Sequence, residues 1–217
     1  MLTTTALFCG LLFSPVVDKV DLSHNFTKGT NLAYNIKIDV TGDTNISASV
    51  LLKWTYGDKD EKGVKTVVKP ENLAVNINGE DHSEPLSETT FLLDQSGMPD
   101  SFSMDGPETL MVIAHVATFL PAKTLDAGES FTIDWKRDSA TMKGTGKFEG
   151  MEKVDGKDLA KLSMKVTLSP KGDDSGVGTL DYVSYFDPAT GHVQSAKGTG
   201  SVDSHEFKFS MALAPTK

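Results

Sequence analysis

Residues 31–40 read NLAYNIKIDV, and the alternation inside this stretch decides the fold class. Leu32, Tyr34, Ile36 and Ile38 fall on one side of an extended chain, with Asn31, Ala33, Asn35, Lys37 and Asp39 on the other. An apolar period of two with one wet face is the pattern of an antiparallel strand. The period returns at Val50, Leu52, Trp54 and Tyr56, at Leu73, Val75 and Ile77, and at Phe131, Ile133 and Trp135. It returns again at Leu162, Met164, Val166 and Leu168, and lastly at Phe207, Phe209, Met211 and Leu213. Between these runs, Thr41-Gly42-Asp43, Asn78-Gly79 and Asp155-Gly156 supply residues that tolerate the positive φ of tight hairpins. Lys171 to Gly176 reads as a longer polar turn. Such spacing predicts a mainly β protein, its antiparallel meanders forming a curved sheet, half-barrel or sandwich. No βαβ alternation is present, so a doubly wound parallel fold is not expected.

One segment breaks the period. Residues 107–120, PETLMVIAHVATFL, predict a helix: Pro107 suits its first turn, Glu108 complements the dipole, and Pro121 stops it. Leu110, Ile113, Ala114, Ala117 and Leu120 form one stripe, and Met111, Val112, Val116 and Phe119 make the opposite side apolar as well. A helix apolar nearly all round is covered on most sides, so this one is expected to lie buried in the concave face of the sheet.

Spacing also predicts an internal duplication, with halves at about 20–104 and 122–214 joined by the helix. Gly29 is followed at alternate positions by Leu32, Tyr34 and Ile36, and Gly128 likewise by Phe131, Ile133 and Trp135. Each half closes on a similar turn, Asp94-Gln95-Ser96-Gly97 in one and Asp187 to Gly191 in the other. No Pro/Ser-rich linker divides them, which favours a single β-rich domain over 18–217 with one continuous sheet.

At the front, Ala6 to Val17 form an apolar run too short to span a bilayer, followed by Asp18 and Lys19. The run reads as the core of a signal peptide over residues 1–17, although no Lys or Arg precedes it and no A-x-A site follows. The competing reading is a first buried strand. The expected location is therefore exported: periplasmic, cell-envelope or secreted. The single cysteine, Cys9, lies in this run, so the rest of the chain has no disulfide, thiolate metal site or cysteine nucleophile. Net charge is −9, and among 21 basic residues only Arg137 is an arginine. That balance argues against nucleic acid and against anion recognition by arginine forks.

The segments HNFTKGTNLAYNIKIDV, LPAKTLDAGESFTIDW, GMEKVDGKDLAKLSMKV and YFDPATGHVQSAKGTGSV together resemble a group of uncharacterised bacterial exported all-β proteins. The resemblance runs from about Val20 to Leu213 and rests on turn-and-strand motifs. It implies export and an all-β fold, and brings no catalytic or binding residues with it.

A search for chemistry finds no hydrolase elbow, zincin helix, dinucleotide fingerprint or phosphate loop. Glu80 to Glu84 offers oxygen ligands and His82, yet reads as a solvated loop after a turn. Gly144-Thr145-Gly146 and Gly198-Thr199-Gly200 sit inside strand patterns, where a bulge or bend explains them. No cofactor and no metal site is expected. The expected function is a non-enzymatic exported binding or envelope-associated protein, with an envelope protein or lipid as partner. If it carries an apolar ligand, the cleft is expected at Met111, Val112, His115 and Phe119. One alternative is a hydrolase or metal-dependent enzyme, which requires at least two of the five histidines, or one with paired carboxylates, to converge in one pocket. Another is an interaction module with a long uncharged edge strand.

Overall fold

The computed structural model describes residues 19–42, 44–82, 87–101, 109–170, 178–202 and 205–215. The expected leader, the 41–43 turn at Asp43, Ser83 and Glu84, Pro107 and Glu108, and the 171–176 turn lie outside these residues.

The chain is antiparallel throughout. A short strand β1 (Lys19–Leu22) is followed by β2 (Asn31–Val40), β3 (Ile46–Lys59), β4 (Val64–Ile77), β5 (Glu80–His82) and β6 (Thr89–Leu93). The helix α1 (Thr109–Ala117) leads to β7 (Lys123–Asp126), β8 (Ser130–Lys136), β9 (Ala140–Val154) and β10 (Lys157–Pro170). Then come β11 (Gly178–Asp187), β12 (His192–Val202) and β13 (His205–Leu213). Eleven strands make one continuous sheet, in the order β5-β4-β3-β2-β13-β12-β11-β10-β9-β8, with β6 also on β4. The sheet curves without closing into a barrel, since no pairing joins β8 to the β4–β6 end. Strands β1 and β7 form a separate pair.

Alternation sorts the faces as the sequence indicates. Leu32, Tyr34 and Ile36 of β2, Leu52 and Trp54 of β3, and Leu162, Met164 and Val166 of β10 are buried on the concave side. β4 differs. Its buried residues are Val64, Thr66 and Val68, ahead of the expected run, while Leu73, Val75 and Ile77 are only half-buried. A register shift opposite Ser49 and Leu51, together with positive φ at Asn72, carries the strand across this change. The hairpins at Asn78-Gly79 and Asp155-Gly156 take positive φ at both residues, as a primed turn requires.

The helix fills the concavity, with every residue from Leu110 to Ala117 buried. Each of its large apolar side chains contributes about 1.5–3 kcal/mol by leaving water. It stops short of the expected Leu120. Phe119 N–H turns to the Val116 carbonyl, and Leu120 N–H leaves the helix for the Ser96 carbonyl at 3.1 Å. The Tyr182 hydroxyl, from the sheet, donates to the Val116 carbonyl at 2.6 Å.

Gly144, Gly146, Gly198 and Gly200 keep regular pairing and make no bulge; the register shifts between β9 and β10 and between β11 and β12 lie at Leu162 and Phe186. Gly146 and Gly200 instead receive the rings of their strand mates Phe131 and Phe207, which cover the space a Cβ would take. Flat rings over glycines let the sheet bend tightly at this end. The turns ahead of β2 and β8 share a contact. Gly29 N–H bonds the Tyr56 carbonyl at 2.8 Å, and Gly128 N–H bonds the Phe148 carbonyl at 2.7 Å, both glycines at positive φ.

Candidate functional site

Three regions have the chemistry or the space to be considered. The first is the expected helix–sheet cleft. Met111, Val112, His115 and Phe119 are at most 6% exposed, and among the described residues Val112 and Phe119 line different cavities. Val112 borders a void of about 10 Å³, with Ile113, Val116, Leu168, Leu180 and Phe207 around it. That volume admits at most one water. Phe119 faces away, into a separate cleft of about 170 Å³ with Ser96, Pro121 and Trp135 beside β8. The concave face is occupied by the protein's own helix.

The second region is a histidine core that residue spacing did not reveal. His115 stacks on Trp54 with centroids 4.7 Å apart and meets the edge of Phe91 at 5.1 Å. Burial pushes its pKa down to about 3, against the opposing pull of the Gly97 backbone. His24 Nε2 lies 2.9 Å from the Thr118 carbonyl, so the ring donates there in the Nε2–H tautomer. Burial and then repulsion from His192 bring His24 down to about 4, while the Thr118 and Ser96 backbones and Asp94 oppose the shift. An aromatic chain, His24–Phe26–Tyr56–His192, ties the two imidazoles together at centroid spacings of 5.0, 5.1 and 6.2 Å. His192 is likewise lowered, by burial. His82 and His205 sit exposed on β5 and β13.

Next to this core, one carboxylate gathers five donors. Asp94 Oδ1 accepts from the Ser96 N–H, the Ser96 hydroxyl and the Met98 N–H. Its Oδ2 accepts from Trp135 Nε1 at 3.0 Å and Arg137 Nη2 at 2.8 Å. The chain's only arginine thus binds the free edge strand β8 to the turn after β6, across the open side of the sheet. The arginine's uniqueness was visible in the sequence; its partner, 43 residues away, was not.

The third region is a trough of about 520 Å³ on the outer face, over β9 to β13. Two cross-strand rows floor it. Lys165, Asp181, Thr199 and Lys208 are successive partners, as are Thr167, Thr179, Ser201 and Glu206. Lys143 of β9 extends the second row next to Thr167. Lys165 and Asp181 pair at 2.8 Å while well exposed, and the Thr179 and Ser201 hydroxyls bond at 2.7 Å.

Among the described residues no three histidine, aspartate or glutamate side chains converge as metal ligands. Glu80, Asp81 and His82 are exposed on a hairpin, where Asp81 accepts from Asn76. No described helix is long and apolar enough to cross a membrane.

No family model matches the chain, and no curated protein is similar to it. Among solved structures, the crystal structure of the hypothetical lipoprotein YmcC from Escherichia coli (K12) is similar at 15% identity. The match covers 84% of this chain and 87% of that one with a TM-score of 0.28, a superposition too loose to transfer fold or function.

Proposed function

We propose that this chain is a non-enzymatic binding protein of the exported, envelope-associated class, and that it meets its partner on the outer surface of the sheet. The occupied concave face carries the reading. A lipid-sized ligand needs several hundred cubic ångströms, and the helix leaves about 10 Å³ beside Val112. The carrier form of the proposal, with a lipid against Met111, Val112, His115 and Phe119, therefore requires α1 to leave its seat. The duplication belongs to the same reading: two related meanders, with matching glycine openings, build one large surface.

The enzyme alternative has one observation in its favour, since three of five histidines do come together. They meet in packed aromatic surroundings, and none of them lines any of the three clefts described above. His24 is engaged with the Thr118 carbonyl. Imidazoles held neutral by burial among rings fit a packing role better than proton transfer to a substrate. The edge-recruitment alternative is weakened by the edges themselves: β5 is three residues long, and β8 carries Asp134 and Lys136.

Expression of the full chain in a bacterial host, fractionation, and native mass spectrometry without detergent test the proposal. The expected outcome is recovery with the envelope or periplasm as a bare polypeptide mass. A stoichiometric lipid adduct would reinstate the carrier. Recovery in the cytosol alone would remove the exported class.

A further inference from the structure

We infer that the outer trough over β9–β13 is a binding site for an acidic oligosaccharide, a chain bearing hydroxyls throughout and carboxylates at intervals. The inference rests on reading the chain as a binding protein and assigns that protein a ligand class. At about 520 Å³ the trough lies within the ordinary range of ligand sites, fifty times the void under the helix.

Its lining chemistry is mixed in a particular way. Thr167, Thr179, Thr199 and Ser201 present hydroxyls that donate and accept, with Asp181 and Glu206 as acceptors among them. Three ammonium groups stand over the same floor. Lys165 is engaged by Asp181, in an exposed pair of the kind worth no more than about 1 kcal/mol, so a ligand can take either partner. Lys143 and Lys208 form no ion pair among the described residues, although Asp39 is the register neighbour of Lys208. They stand on β9 and β13, four strand spacings apart, or about 19 Å.

That spacing selects the ligand. Nucleic acid places a phosphate about every 3.4 Å along each strand and would meet Asp181, Glu206 and a net charge of −9 with few cations in return. A bare inorganic anion would be repelled by the same two carboxylates. A neutral glycan would leave Lys143 and Lys208 unused. A sparsely charged polyhydroxyl chain satisfies all of these groups together. Phe207 is the aromatic side chain lining the trough, and its ring is buried against Gly200 rather than offered as a platform, so binding relies on charge-assisted hydrogen bonds and weakens as salt is added.

The test is an amide NMR titration of the full chain with tetragalacturonate, with cellotetraose and tripolyphosphate as comparisons. Shifts confined to β9–β13 are expected with tetragalacturonate alone. K143A/K208A is expected to weaken them about a hundredfold, the loss of two charge-assisted hydrogen bonds at about tenfold each, at an unchanged melting temperature. T179V, which keeps the fold and both lysines, should weaken binding without changing its salt dependence. Equal shifts with tripolyphosphate, equal shifts with cellotetraose, or affinity indifferent to both variants would overturn the assignment. Absence of any shift at millimolar tetragalacturonate would also overturn it, while the envelope fractionation and bare mass would still stand on their own.

Discussion

Asp94 shows how much one side chain can hold when the sheet around it stays open. Its carboxylate joins a turn, an indole and a guanidinium that come from opposite ends of the sheet. Arg137 also lies 5.5 Å over the Trp135 ring, so this junction combines an ion pair, hydrogen bonds and a cation–π contact. Replacing Asp94 by Ala leaves the Trp135 indole and two backbone N–H groups without their acceptor. D94A is expected to lower unfolding stability by about 3 kcal/mol, measured by urea denaturation. R137K, which keeps the charge but not the planar fork, should cost about 1 kcal/mol. A loss below 1 kcal/mol for D94A would show that the junction is incidental.

At the scale of elements, the segment around His24, the C-terminal end of α1 and the start of β12 meet through imidazoles. His24 and His115 have folded pKa values near 4 and 3, below the usual 6.5. The unfolded chain therefore binds more protons once the pH falls below 6.5. Stability is greatest above that value and declines as the pH drops from 6.5 toward 4, where the folded rings begin to protonate. The facing charges, Asp94 toward His24 and Asp187 toward His192, temper the decline without reversing it. Unfolding free energies from urea denaturation should drop between pH 7 and 5 by about 2 kcal/mol for each fully buried ring. H24Q retains a donor for the Thr118 carbonyl and should flatten this slope; an unchanged slope would place the titration elsewhere. The strands and the helix were legible in the sequence because period two and an all-apolar stretch are local signals. The histidine core was not, because 24, 115 and 192 come together only once the order of strands is known. The cleft expected at Met111, Val112, His115 and Phe119 depends on one quantity, the volume remaining after the helix packs. No pattern of residue types reports that volume.

For the molecule as a whole, the decisive pairing is β13 against β2, from Phe207↔Val40 to Leu213↔Tyr34. Within the eleven-stranded sheet it joins two meanders whose other described strands pair only among themselves; the separate β1–β7 pair is a second link. Deleting 205–217 exposes the edges of both β2 and β12 and removes buried Phe207, Phe209 and Met211. Those three alone contribute about 5–9 kcal/mol, comparable to the entire stability of an ordinary domain. The shortened chain is expected to lose cooperative thermal unfolding and to be cut rapidly by protease. A sharp transition in the shortened chain would mean that each meander stands alone. The same pairing sets an order of events. Counted from the N-terminal side, β2 is made early and β13 is the last of the described strands, so the eleven-stranded sheet closes only after the second meander is complete. The strand that completes the fold thus also times it.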